Sequence, residues 1–381
     1  MSASTPLHAL HAAGQSIWLD FIDRSLLQGD TLAGRIRDEA LTGMTSNPTI
    51  FEKALASGSA YDAQLKAAAA GKTAWELFEL VETDDVRSAC DIFRPVYDAT
   101  TMRDGYVSIE VSPGAAHDAA ATVAEAHRLW KTVNRPNVMI KVPGTTEGCL
   151  ALEQLIADGL NVNVTLLFAV AAHARVIEAY ISGLERRAAA GLPLGHVASV
   201  ASFFVSRVDS AIDAQLEAQV RAGTLSADRA SALQGKAAIA NAKRAYRLFR
   251  EQFSGPRWNA LAEQGAQLQR PLWASTSTKN PSYRDTIYVE GLIGPDTVNT
   301  MPPNTLEAYR DHGVTARTVD ADLAAADAVL TQLEAQGIAL DVVTDTLLAE
   351  GLASFQKSFD TLIAGIEHKT ATLGHAVSAG R

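Results

Sequence analysis

Apolar positions along this chain keep two different periods, and the switches between them mark out a fold. Short β-branched or aromatic runs bounded by Gly, Pro, Asn and Asp predict strands at Ser16–Asp23, Thr42–Asn47, Tyr106–Val111, Val138–Val142, Asn161–Phe168, Val197–Val205, Pro271–Ser275 and Thr297–Met301. Alanine-rich segments between them, with apolar residues at i, i+3 and i+4, predict helices such as Ala115–Asn134, Ala169–Ala190 and Ser210–Gln252. Eight strands alternating with helices argue for parallel βα units, and eight such units close as an α/β fold of the (β/α)8, or TIM-barrel, type. Two long connections, Phe51–Gly105 and Asp209–Arg270, are rich in Ala, Leu, Glu and Lys and read as extra helices. The stretch 319–373 is helical as well and is expected to pack across the barrel and cover its mouth. With no fixed-period repeat and no Pro/Ser linker, residues 1–381 read as one domain.

Barrel enzymes carry their chemistry on side chains projecting inward at the C-terminal ends of the strands. Period-2 alternation tests which polar residues share that direction. Trp18 and Asp20 alternate against Ile17, Leu19 and Phe21; Ser108 and Glu110 against Val107, Ile109 and Val111. Met139 and Lys141 alternate against Val138, Ile140 and Val142; Asn163 and Thr165 against Val162, Val164 and Leu166. In each strand the polar residue comes late and opposes the aliphatic set. Bland readings stand beside the chemical ones. Asp20 could be a capping residue, Glu110 half of a structural ion pair, Asn163 and Thr165 packing residues, and Asn47, before Pro48, a turn residue.

Composition narrows the function class. Charged residues make up 20% and the net charge is −10, which argues against a nucleic-acid surface and requires local cations for any anionic substrate. Only two cysteines, Cys90 and Cys149, occur and they form no CxxC pair, so neither a disulfide framework nor a cysteine zinc site is expected. The nine histidines form no HExxH pair, so no metal site is expected; His8 and His11 read as part of a tail. No GxGxxG or P-loop pattern supports a nucleotide. No leader-like start and no membrane-length apolar run is seen, which points to a cytoplasmic protein.

Lys141 carries the sharpest signal, a lone charge in Asn137-Val-Met-Ile-Lys-Val-Pro-Gly144. A buried ammonium without a partner is costly, and a desolvated neutral amine is a nucleophile towards carbonyls. The bland alternative is a strand-end lysine that snorkels or pairs. Lys141 is followed by Val142-Pro-Gly-Thr-Thr-Glu-Gly148, preceded by Gly43-Met-Thr-Ser-Asn-Pro-Thr-Ile-Phe51, and trailed by Asn161-Val-Asn-Val-Thr-Leu-Leu-Phe168. These stretches, in this order, resemble the transaldolase family over most of the chain. The branch it resembles is sometimes fused to a glucose-6-phosphate isomerase, for which 381 residues leave no room.

The resemblance implies a transferase of the pentose phosphate pathway that moves a dihydroxyacetone unit between sugar phosphates. Lys141 would form the Schiff base, Glu110 with Thr165 would serve the water steps, and Asp20 would act as base. Asn47 and Asn163 would hold the three-carbon fragment, and Ser202, Phe204 and Arg207 the phosphate side. After the seventh strand the commoner branch has an arginine where this chain offers Lys279. No cofactor is implied, because the lysine is itself the electron sink, and family habit is compatible with a homodimer. Two other readings stay open: an aldolase that releases free dihydroxyacetone, and a silent sugar-phosphate-binding barrel.

Overall fold

The computed structural model describes residues 5–56 and 58–378, with the side chains of 56 and 374–378 excepted. Residues 1–4, where the leader reading begins, lie outside it. Eight parallel strands close into a barrel in sequence order: β1 (Gln15–Asp20), β2 (Leu41–Thr45), β3 (Tyr106–Glu110), β4 (Val138–Pro143), β5 (Val162–Leu167), β6 (Ser199–Phe204), β7 (Gln269–Ala274) and β8 (Thr297–Met301). All eight strands expected from periodicity are present, most of them trimmed or shifted by one to three residues at their ends. The fold is a (β/α)8 barrel with a long C-terminal helix.

Alternation divides the core in two. Outward aliphatics such as Ile17, Ile109, Ile140 and Val164 join the main cluster beneath the helices. Inward residues Trp18, Tyr106, Met139, Val200, Leu272 and Val298 fill the barrel as a separate cluster. Gly43 belongs to this interior because a Cβ there would meet the Trp18 indole at 2.5 Å. Trp18 packs below the mouth and donates from Nε1 to Asp104 Oδ1 at 2.8 Å. Arg270 closes the N-terminal end, donating to Ser16 Oγ at 2.6 Å and pairing with Asp104 at 3.4 Å.

Three local expectations are corrected. The 210–252 stretch is three helices, because Gly223 and Gly235, with φ of 74° and 69°, stop two of them. His8 and His11 are not in a tail but in the helix Pro6–Ala12, which is started by Pro6 and anchored by buried Leu7 and Leu10. The C-terminal stretch breaks at Gly337 (φ 77°) into Leu323–Ala335 and Leu340–Ser378. The second of these packs on the helices 48–56, 62–68, 74–99 and 206–221, so it lies beside the barrel mouth.

Candidate active site

At the C-terminal end of the barrel a cavity of about 700 Å³ is lined by Asp20, Asn47, Glu110, Lys141, Thr165, Ser202, Phe204, Arg207 and Lys279 among others. Nine of the ten residues singled out from the sequence therefore converge there. Asn163 lies one layer below, fully buried, accepting from Ser202 Oγ at 2.7 Å and donating to Ser108 Oγ at 3.0 Å.

Lys141 is not the unpartnered charge that its own strand suggests. Glu110 and Lys141 are register neighbours on β3 and β4. Lys141 Nζ donates to Glu110 Oε2 at 2.9 Å and to the Ser46 carbonyl at 3.0 Å, with both side chains nearly buried. The partner comes from 31 residues away, which is why strand-level reading missed it. Burial raises the Glu110 carboxyl above its ordinary range, opposed by the charge and hydrogen bond of Lys141. Behind it stands Glu82, from the helix Ala74–Ala99, whose carboxyl is raised well above normal by burial first and by Glu110 next. Sequence reading passed over Glu82, although a Glu in the apolar stripe of Phe78, Val81 and Val86 was a usable signal.

Asp20 accepts from Thr45 Oγ1 at 2.8 Å, and Thr45 meets Thr300 at 2.7 Å. Burial raises the Asp20 carboxyl, with Lys141, Thr45 and Lys279 pulling the other way. Its role as a cap is excluded by the neighbour: Asp23, not Asp20, caps the next helix by accepting from Leu26 N at 2.8 Å. Asn47 does start a helix, Pro48–Ala56, with Oδ1 accepting from Ile50 N at 3.1 Å. It lines the cavity as well, so the turn role and a binding role coexist.

On β5 the alternation breaks. Leu166 has φ of 61°, a costly conformation for a branched residue, and the ladder to β6 skips between Val164 and Leu167. Thr165 and Leu166 consequently both line the cavity, where period 2 would send Leu166 to the helices. Gly148, in the first turn of the preceding helix Thr146–Asp158, has a steric reason: a Cβ there would lie 1.8 Å from the Pro143 carbonyl oxygen.

The opposite wall is cationic. The Arg207 guanidinium sits 5.4 Å from the Phe204 ring centre, and burial lowers its pKa. Lys279 Nζ donates to Ser277 Oγ at 2.7 Å; burial lowers its pKa, and the Arg207 charge pushes the same way. The helix 340–378 contributes Gly351, Ser354, Phe355 and Ser358 to the rim, and Thr49 donates to Ser358 at 2.8 Å. A helical C-terminal stretch near the mouth was expected from the sequence, but which of its residues reach the cavity was not. Among the described residues no cluster of His, Cys, Asp and Glu could hold a metal ion, and no helix is long and apolar enough to cross a membrane.

The arrangement can run carbonyl chemistry: an amine in contact with a carboxyl of raised pKa, a second carboxyl nearby, and cations for an anionic group. Comparison with known proteins agrees with that chemistry. The model of the family described as transaldolase/fructose-6-phosphate aldolase matches residues 17–366. A protein of Acidothermus cellulolyticus named "Transaldolase" is 50% identical over 363 residues, covering 95% of this chain and 96% of the relative. "Transaldolase 2" of Nostoc sp. is 47% identical over 94% of this chain and 96% of its own length. A "Transaldolase" of Mycolicibacterium smegmatis is 47% identical over 95% of this chain and 97% of its own. With near-complete coverage on both sides, this chain belongs to the transaldolase/fructose-6-phosphate aldolase family.

Proposed function

We infer that the chain is a transaldolase, transferring a dihydroxyacetone unit from sedoheptulose 7-phosphate to glyceraldehyde 3-phosphate and yielding erythrose 4-phosphate and fructose 6-phosphate. The observation that carries the reading is the buried Lys141–Glu110 contact of 2.9 Å at the base of a cavity with cations on its far wall. Relatives covering nearly the whole chain are named transaldolase, which favours transfer over release of the free triose and over a silent barrel.

In this reading Lys141, having given its proton to the carboxyl beside it, attacks the ketone carbon of the donor. Glu110 returns a proton as the carbinolamine loses its hydroxyl as water, with Thr165 orienting that water, and an iminium results. A raised carboxyl pKa suits this exchange, because the group must hold a proton in one step and lack it in another. Asp20 then takes the C4 hydroxyl proton while the C3–C4 bond breaks; its electron pair flows into the iminium and the aldose phosphate departs. The three-carbon unit stays bound as an enamine. Asn47 would engage its hydroxyls from the cavity wall, and Asn163, buried one layer below, would act with it through Ser202, from whose Oγ it accepts. The acceptor aldehyde adds in the reverse sense, Asp20 returning its proton to the new hydroxyl, and water releases the product from Lys141. Arg207, with Lys279 beside it and Ser202 and Phe204 completing the wall, would take the phosphate.

The test is borohydride reduction in the presence of fructose 6-phosphate. A three-carbon unit should appear on the peptide carrying Lys141, and Lys141→Arg should abolish turnover and labelling together. Labelling of a different lysine would overturn the assignment. Free dihydroxyacetone, measured with and without erythrose 4-phosphate, separates transfer from release.

A further inference from the structure

Two like charges held side by side need a scaffold, and the structure provides an unusual one. Arg207 stands in the first turn of the helix Ser206–Arg221, whereas Lys279 hangs on the segment after β7. Backbone bonds tie the two only as far as Ser206 N to the Ser275 carbonyl, at 3.0 Å. Beyond that point, repulsion between the cations would drive the Lys279 segment outward.

Two buried carboxylates on the same helix hold it in place. Asp213 Oδ2 accepts from the Tyr283 hydroxyl at 2.6 Å, and its Oδ1 accepts from Gly235 N at 3.1 Å. Asp209 repeats the pattern one turn earlier, accepting from the Tyr288 hydroxyl at 2.9 Å and from Ala238 N at 2.8 Å. Each carboxylate thus joins three elements: its own helix, the segment after β7, and either the turn before the helix 237–252 (Asp213) or the first turn of that helix (Asp209). Neither forms a salt bridge among the described residues, so their fixed partners are neutral N–H and O–H donors. The Tyr283 ring also lies on Gly235, where a Cβ would come within 2.8 Å of Cζ. The connection to Lys279 is short and closed. Tyr283 N donates to the Asn280 carbonyl at 3.1 Å, Ser282 N to Asn280 Oδ1 at 2.9 Å, and Thr278 Oγ1 to the Arg284 carbonyl at 3.1 Å. Lys279 therefore stands at the start of a small closed loop, 278–284, whose far end is held on Asp213 through Tyr283.

We propose that the Tyr283–Asp213 bond is a latch that sets Lys279 against Arg207 and so makes the enzyme selective for phosphorylated over unphosphorylated sugars. Tyr283 and Asp213 are positioning residues here, and neither lines the cavity. Tyr288–Asp209, more deeply buried, is the anchor about which the loop is hung. The proposal rests on the reading that this wall binds phosphate, so the test carries controls for that reading.

The experiment compares kcat/KM for glyceraldehyde 3-phosphate and for glyceraldehyde as acceptors, with one donor, in wild type, Tyr283→Phe, Asp213→Asn, Lys279→Ala and Arg207→Ala. In a two-half reaction the acceptor's kcat/KM reports the acceptor half alone. Tyr283→Phe should lower it about five- to tenfold for the phosphorylated acceptor, through KM, and less than about twofold for the other; this is part of the roughly 10- to 100-fold that a hydrogen bond to a charged group carries, because the latch reaches the phosphate only through Lys279. Asp213→Asn should show the same selectivity, and thermal unfolding of each variant reports whether the barrel is intact. Equal losses on both acceptors, or no loss, overturn the latch. If Lys279→Ala or Arg207→Ala is phosphate-selective while Tyr283→Phe is not, the phosphate reading stands and the latch falls. If Tyr283→Phe is selective while Lys279→Ala is silent, the latch as proposed falls, because it acts by setting Lys279.

Discussion

His173 offers a stability prediction whose size follows from burial alone. It lies on the helix 170–189, fully buried, with its ring 5.9 Å from that of Phe203. Neither ring nitrogen has a hydrogen-bond partner among the described residues. Desolvation pushes its pKa down from 6.5 to about 4. The folded chain therefore keeps the ring neutral, while the unfolded chain takes up a proton below the ordinary value. Stability is full above 6.5 and is lost as pH falls through the window down to about 4. The 2.5-unit gap, 6.5 minus 4, corresponds to roughly 3 kcal/mol at the bottom of the window and about 2 kcal/mol near pH 5. His173→Phe keeps a flat aromatic ring, slightly larger, and removes the titration; any packing cost is the same at both pH values. Urea unfolding of both proteins near pH 7 and near pH 5 gives the difference, in which all other titrating groups cancel. The variant should gain about 2 kcal/mol on the wild type between these conditions. It should also be somewhat more stable near neutrality, since two unsatisfied buried nitrogens are gone. A pH-independent difference would refute the reasoning.

Further outcomes follow from the same geometry. Asp20→Asn should let the reducible adduct of the intact donor accumulate on Lys141, whereas Glu110→Gln should slow formation of the adduct; identical blocks in single-turnover trapping would contradict the division of labour. Arg207→Ala should cut kcat/KM for fructose 6-phosphate roughly 10- to 100-fold with little change for fructose, because one or two charge-assisted bonds are lost; equal losses would assign the residue to the fold. At the other end of the barrel, Arg270→Met strands a buried Asp104 carboxylate and should cost about 3–5 kcal/mol in denaturant unfolding, while activity per folded molecule stays the same; a loss under about 1 kcal/mol would mean Asp104 finds water or a proton cheaply.

Legibility of the site in the sequence depended on backbone regularity. Asp20, Glu110 and Lys141 sit on regular strand ends, where period-2 alternation predicts direction, and each lines the cavity as read. The same rule sent Leu166 the wrong way, because a bulge with positive φ is a tertiary accommodation that no composition announces. Glu82 was overlooked because a helical Glu is ordinarily solvent-facing; only the packing of the 74–99 helix on β3 and β4 put it behind Glu110.

By itself, the sequence determined the strand–helix alternation and the barrel it closes into, and it singled out Lys141 as the candidate nucleophile. Periodicity and turn residues are local properties, and two ordered motifs around Lys141 carry the family resemblance. Only the tertiary structure decided who stands next to whom. The Glu110 partner of Lys141, the Asn163–Ser202 layer and the tyrosine-bound carboxylates behind Arg207 join residues 31, 39 and 70 or more positions apart. Such pairs arise from strand register and helix docking, which depend on how the whole barrel closes. A local pattern can therefore name the reactive group, while its protonation, its orientation and the grip on its substrate are properties of the closed fold.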